Sequence, residues 1–198
     1  MMLGFPAPPE PEITALQAAS EGKFAACKAA LKRNPTEAGM IGSGGFTPIF
    51  PACQLKRDDI LELLLQHGAD PLVRECSGAT ALHFAVNRNA LPCVRLLLRA
   101  GANVNAQCQC GESPLHRAAE YGWVECVRAL LDEGADPNLR DAQGESPLVW
   151  AKDWHEWQSE DVKARKKRCA ELLREGGAQA VPGHVPLPIA LPTLQNPV

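Results

Sequence analysis

The sequence predicts an all-α repeat solenoid, built from short helix-turn-helix units stacked side by side. Three observations carry that prediction. The stretch Gly111–Asn138, GESPLHRAAEYGWVECVRALLDEGADPN, reads as a polar turn, a short helix, a tight corner, a second helix and a glycine stop. Stepping 33 residues from Ser113 lands on Thr80 and Thr47 in one direction and on Ser146 in the other, and each heads a related segment. Finally, two helices this short nucleate poorly in water and cannot bury their apolar faces alone, so the unit requires neighbours.

Within the unit, Ser113 is a natural N-cap, and Pro114 stands where the first helical residue can lack an N–H. Gly122 breaks the first helix. Val124, Val127, Leu130 and Leu131 form a second apolar stripe that runs to Gly134, a residue tolerant of the left-handed conformation at a helix end. The repeated headings are TPIFPAC, TALHFAV, SPLHRAA and SPLVWAK. Gly45, Gly78, Gly111 and Gly144 keep the same period, as do Ala52, Ala85, Ala118 and Ala151, and the stop glycines Gly68, Gly101 and Gly134.

These residues resemble the ankyrin repeats. The resemblance rests on the G-x-T/S-P-L-H-x-A-A opening, the L-L-L-x-x-G-A-D/N-x-N close and the 33-residue period, and it covers about Glu12 to Ala178. It implies stacked helix-turn-helix units with β-turn or hairpin tips. Phe50 and Val149 stand where the family prefers His. An acidic residue three before the turn glycine survives as Glu75 and Asp141, whereas Gly42 and Cys108 replace it elsewhere, so those turns are expected to be less tightly tied.

The expected organisation is a Pro-rich leader over 1–11, a repeat domain over 12–178 and a Pro-rich tail over 179–198. The repeats are 12–44 (a degenerate cap), 45–77, 78–110, 111–143 and 144–178. In the cap, Ala18, Ala19 and Gly22 match Ala118, Ala119 and Gly122, and Asn34 is expected to replace the stop glycine in a left-handed conformation. Lys23, Lys28, Lys32 and Arg33 suit a face turned to water. The loop Pro35–Gly44, with three glycines, is expected to be mobile. In the third repeat Asn89 takes the corner held by Gly122 in the fourth, and Pro92 falls in the first turn of the second helix.

The fifth repeat is irregular. Its turn glycine and stop glycine, Gly144 and Gly176, are 32 residues apart, against 23 for Gly111 and Gly134. The nine extra residues fall around Asp153–Lys163 and bring in Trp154 and Trp157. A basic run, Lys163, Arg165, Lys166, Lys167 and Arg168, follows. An amphipathic capping helix with a solvated charged face accounts for this run, and a partner contact through the tryptophans is the functional alternative. The prolines of the tail favour polyproline II or disorder.

Composition bounds the function. The chain has 198 residues, 45% hydrophobic and 22% charged, with a formal net charge of −3. That balance gives no reason to expect nucleic acid or an anionic membrane as partner. No apolar run reaches the ~20 residues of a membrane span, and Met1–Pro11 lacks the charged and apolar regions of a signal peptide. An intracellular protein, cytoplasmic or nuclear and monomeric, is expected.

Eight cysteines are present. Cys93 and Cys126 share one repeat column with Ile60 and read as small core residues, with Cys27, Cys53 and Cys169 also on helical segments. No disulfide framework is visible, which favours a reducing compartment. Cys76, Cys108 and Cys110 lie at neighbouring turn tips and could meet a metal or oxidise. No CxxC pair or turn histidine completes a zinc set, so neither metal nor cofactor is expected. His83 and His116 recur at one helix position, where a backbone bond across the adjoining turn explains them. No nucleophile–base spacing accompanies either, and no catalytic residue is expected.

The resemblance implies binding through the concave face, made by the turn tips and the exposed side of the first helices. The repeat register places three columns there: Phe46, Ala79, Glu112 and Glu145; Gln54, Asn87, Glu120 and Asp153; and Leu55, Arg88, Tyr121 and Trp154. The expected contact residues are Phe46, Leu55, Arg88, Glu112, Glu120, Tyr121, Glu145, Asp153 and Trp154, with Trp157 from the insertion. Acidic residues gather towards the C-terminal half and favour a partner bearing basic groups. The expected function is a non-enzymatic adaptor or scaffold for a protein or extended peptide. Alternatives are a substrate-receptor or regulatory subunit of a larger enzyme complex and, less favoured, a metal or redox site at the three tip cysteines.

Overall fold

The structure, a computed structural model, describes residues 13–152 and 158–179. Its helices are α1 (Ala15–Ser20), α2 (Phe24–Arg33), α3 (Ile49–Gln54), α4 (Asp58–Gln66), α5 (Ala81–Asn87), α6 (Leu91–Arg99), α7 (Pro114–Tyr121), α8 (Val124–Asp132), α9 (Pro147–Lys152) and α10 (Glu160–Glu175). They form five pairs. The first helices α1, α3, α5, α7 and α9 stack in one layer, and α2, α4, α6, α8 and α10 stack in the other. Among the described residues no strand forms. The tips are turns, with an isolated antiparallel bridge between Arg74 and Thr80. The fold is the all-α repeat solenoid expected.

Repetition in the sequence becomes repetition in the core. Ile49, Leu82, Leu115 and Leu148 face inward from successive first helices, while Leu64, Leu97, Leu130 and Leu173 do so from the second. Fully burying each such side chain contributes about 1.5–3 kcal/mol. Ala52, Ala85, Ala118 and Ala151 are completely inaccessible. They fall on α3, α5, α7 and α9, where a methyl group fills the seam between neighbours. Cys27, Cys53, Cys93, Cys126 and Cys169 are buried thiols.

The corner between the paired helices takes a left-handed residue in each of the first four repeats: Gly22 (φ 67°), Lys56 (φ 57°), Asn89 (φ 51°) and Gly122 (φ 68°). Asn34 departs from expectation. It is extended, at φ −142° and ψ 97°, because the following Pro35 disfavours helical geometry in the residue before it. Its side-chain oxygen instead accepts from the Thr36 N–H and starts a short 3-10 helix over Pro35–Gly39. The loop expected to be mobile is therefore structured. Ala38 is buried, and Glu37 accepts from the Ala15 N–H at 2.7 Å, capping α1 from 22 residues away.

In the fifth repeat the extra residues partly lengthen α10, which has 16 residues where α4, α6 and α8 have nine. The basic run does not present one charged face. Lys166 is buried, Arg165 lies over the Trp123 ring at 5.3 Å, and Arg168 pairs with Glu171 and Glu175.

His83 and His116 each join three pieces of chain. The Thr80 N–H donates to Nδ1 of His83 at 3.2 Å, and Nε2 donates to the Glu112 carbonyl at 3.0 Å. The Ser113 N–H donates to Nδ1 of His116 at 3.1 Å, and Nε2 donates to the Glu145 carbonyl at 3.1 Å. Each imidazole therefore caps its own helix and ties it to the next tip. Where Phe50 and Val149 replace the histidine, the buried hydroxyls of Thr47 and Ser146 lack a hydrogen-bond partner.

Three predictions test this reading of the fold. Ala118→Glu puts an unpaired charge into a seam with room for a methyl group, and should cost more than ~3 kcal/mol, unfolding the central repeats. A thermal melt matching the parent's would show the register to be wrong. Thr47→Val removes an unpartnered buried hydroxyl and should stabilise the chain by about 1 kcal/mol in denaturant titrations; a loss of stability would reveal a bond to that hydroxyl.

The third concerns acid. Burial holds His83 down to about 4, against the opposing pull of the Glu112 carbonyl, and burial lowers His116 as well. The folded chain keeps these rings neutral while the unfolded chain protonates them near ~6.5. Their contribution is complete above that value and fades as pH falls from ~6.5 toward 4. Unfolding free energy should drop by about 2 kcal/mol between about pH 7 and pH 5 from His83 alone. Denaturant titrations of His83→Gln should show that part of the slope removed, whatever the variant's absolute stability; an unchanged slope would refute it.

Candidate partner-binding surface

The tips set the position of the first expected column. In each, a backbone hairpin closes just before the helix: Glu75 N–H to the Ala79 carbonyl, Cys108 to Glu112, and Asp141 to Glu145, all at 3.0 Å. Successive tips are then joined, the Cys76 N–H donating to Gly44, Gln109 to Ser77 and Ala142 to Cys110, each at 2.9 Å. Arg74 and Gln107 bridge tips through their side chains, donating to the Gln107 and Arg140 carbonyls. The approach is close. A Cβ on Gly111, where φ is 76°, would lie 2.6 Å from the Ala142 nitrogen.

Carboxylates tie the two acidic tips further. Glu75 accepts from the Ser77 and Ala79 N–H groups; burial pushes its carboxyl up, but the bonds from Ser77, Cys76 and Ala79 together hold it below the ordinary range. Asp141 accepts from Gln143 and Glu145. At Cys108 the backbone turn closes all the same, and the Gln107 amide donates to the Gly111 carbonyl as Arg74 and Arg140 donate to the Gly78 and Gly144 carbonyls in the acidic tips.

On the first helices the accessible side is a narrow stripe. In α5 and α7 it comprises Phe84, Asn87 and Arg88, and Arg117, Glu120 and Tyr121, while Leu82, Ala85 and Val86, and Leu115, Ala118 and Ala119, are buried. Two of the three positions per repeat are the second and third expected columns. The remaining one, Phe84, Arg117 and Trp150, with the buried Pro51 at the same position of the second repeat, was absent from the expected set. Its signal was available: it lies three residues before the second column, which places it on the same helical face.

That column changes the character of the surface. Phe46 and Phe84 are half-buried and pack on each other and on the fully buried Phe50, with ring centroids 5.2–5.7 Å apart. Phe46 is thus part of an inter-repeat aromatic cluster and not an isolated tip residue. In the fourth repeat Arg117 forms ion pairs with Glu112 and with Glu120, the latter at 3.3 Å. Burial raises the Glu112 carboxyl; Arg117 opposes the rise, and Glu120 and Asp141 add to it. In the fifth repeat the Trp150 indole donates to Asp141 at 2.9 Å and meets His116 edge-on at 5.8 Å.

The structure brings Glu112 and Glu120 together through Arg117, with the half-buried Glu145 on the next tip. It keeps the third column at the other end of the first helices. Leu55 and Arg88 are helix C-caps, and Tyr121 ends α7, roughly 12 Å along the helix from the Glu112 tip. Leu55 and Tyr121 are 46% and 39% exposed. Tyr121 stacks on Trp123 at 6.0 Å, beside Arg165. Asp153, Trp154 and Trp157 lie outside the described residues.

Both nitrogens of His83 and of His116 are engaged in cap and tip bonds, which leaves neither ring placed to activate a nucleophile. Among the described residues no three His, Cys, Asp or Glu side chains gather in a way that could hold a metal ion. The Cys76 thiol donates to Glu75, and that bond holds it above its ordinary value, away from the reactive thiolate. No described helix is long and apolar enough to cross a membrane.

Comparison with known proteins agrees with this architecture. A family model described as ankyrin repeats in three copies matches residues 15–108 and again residues 82–179. A human 2-5A-dependent ribonuclease is 60% identical over 37 residues, which are 19% of this chain and 5% of that protein's length. Those 37 residues amount to little more than one repeat, so the similarity is to a repeat unit. With the model covering most of its length, the chain belongs to the ankyrin-repeat family, whose stacked units make protein-interaction domains.

Proposed function

We propose that this chain is a non-enzymatic adaptor that holds a partner protein, or an extended segment of one, along the face formed by its tips and first helices. The observation that carries the reading is the contrast between repeating and non-repeating columns. Positions that recur unchanged, such as Ala52, Ala85, Ala118 and Ala151, are inaccessible. Positions that differ from repeat to repeat, such as Phe84, Arg117 and Trp150, or Arg88 and Tyr121, are at least partly exposed. Aromatic residues and arginine, the types concentrated at interaction hot spots, supply much of that second set.

The eight unpaired cysteines support a reducing compartment, cytoplasmic or nuclear. The short match to a ribonuclease lends no catalytic role, since the imidazoles here are structural. A four- or five-repeat face is wide enough for a standard interface of about 1,600 Å².

A combined Arg88→Ala, Glu120→Ala and Tyr121→Ala variant tests the proposal in proximity labelling against the parent. All three residues are at the surface, so the thermal melt should be retained. Partners of the parent should be lost or weakened by more than ~2 kcal/mol. An unchanged partner set would move recognition off this face.

A further inference from the structure

The surface just described is graded along the stack, and the gradient specifies what it can hold. At the second and third repeats the half-buried Phe46 and Phe84 rest on the buried Phe50, beside the exposed Gln54, Leu55, Asn87 and Arg88. That cluster exists because Phe50 replaces the histidine of the third and fourth repeats, giving up a helix-to-tip bond and leaving Thr47 unpartnered. At the fourth and fifth repeats the Phe46 position carries Glu112 and Glu145, and Glu120 stands in the column of Gln54 and Asn87, with Arg117 ion-paired to Glu112 and Glu120. Trp150 borders this acidic part, its ring held by Asp141 and His116. Arg88, exposed at the end of α5, marks the boundary and repels a cation from the third repeat.

Resting on the concave-face reading, we propose that the occupant is an extended segment with an apolar side chain seated on Phe46 and Phe84 and a lysine or arginine against Glu112, Glu120 and Trp150. Helices packed 8–10 Å apart place neighbouring repeats about 10 Å from each other, and an extended chain covers about 3.3 Å per residue. The aromatic cluster lies on the second and third repeats and the acidic residues on the fourth and fifth, about two repeats on, so the apolar residue and the cation are about six residues apart. The carboxylates supply the charge complementarity, and the indole face offers a cation–π contact to the same group. An acidic segment or a nucleic-acid backbone meets three carboxylates here and is disfavoured.

A random peptide library displayed on phage, selected against the full chain, tests this directly. Selected peptides should carry an apolar residue and a lysine or arginine about six positions apart. The best of them, synthesised and labelled, should bind by fluorescence anisotropy and lose about tenfold or more in affinity on Phe84→Ser. Glu120→Lys with Glu145→Lys reverses the surface charge without touching the aromatic cluster or the buried seam, so folding should be retained on melting. Selection on that variant should turn to acidic peptides. Acidic or uncharged peptides from the parent, no enrichment at all, or indifference to the charge reversal would each overturn the proposal. If cellular partners are nonetheless lost from the Arg88, Glu120 and Tyr121 alanine variant, the adaptor reading stands and only this assignment of partner chemistry falls.

Discussion

The stack depends on a single steric constraint, the close approach of first helices across a seam of methyl groups. Ala52, Ala85, Ala118 and Ala151 have no accessible surface, and the helices bearing them pack on one another in sequence. A helix of six to eight residues has no stability of its own. It persists because both sides are occupied, and occupation on both sides requires the small residue. Every leucine buried in the two layers gains its burial only once that approach is made.

The tips follow from the stack. Once the first helices are in register, the turn of one repeat lies against the turn of the next, close enough that glycine is required at Gly111. His83 and His116 then convert adjacency into order, since each ring bonds its own cap and the following tip. The second and fifth repeats, which keep the cap hydroxyl without that histidine, show what it contributes. Thr47 and Ser146 keep the cap hydroxyl without the ring that would use it. In the second repeat the vacated position became aromatic, so a structural bond was exchanged for an apolar foundation under the accessible surface.

Fold and candidate surface were legible in the sequence to different depths, for a physical reason. Features repeated every 33 residues, including the seam alanines, the capping histidines and the left-handed corners at Asn89 and Gly122, were readable because each copy corroborates the others. The misread places lie where one copy stands alone. Asn34 was aligned with the stop glycines, but the proline after it sets an extended backbone. The glycines of Pro35–Gly44 suggested mobility, whereas Glu37 reaches back to cap α1. Neither contact leaves a periodic trace. The stripe containing Phe84, Arg117 and Trp150 was missed for the opposite reason: it follows the repeat, but its residues share no chemistry.

That lack of shared chemistry is the strongest argument about what the surface is for. A column buried in every repeat meets the same surroundings each time and converges on one residue type, as the seam and the leucine columns do. An accessible column meets solvent, and the stack sets no demand on it beyond tolerance. Phe84, Arg117 and Trp150 are nevertheless not a scatter of small polar groups. Each is held in place by neighbours: Phe84 by Phe46 and Phe50, Arg117 by Glu112 and Glu120, and Trp150 by Asp141 and His116. Side chains restrained in this way lose little conformational freedom when a partner arrives, so more of the contact energy appears as affinity. The exposed face is thus preorganised where the sequence varies most.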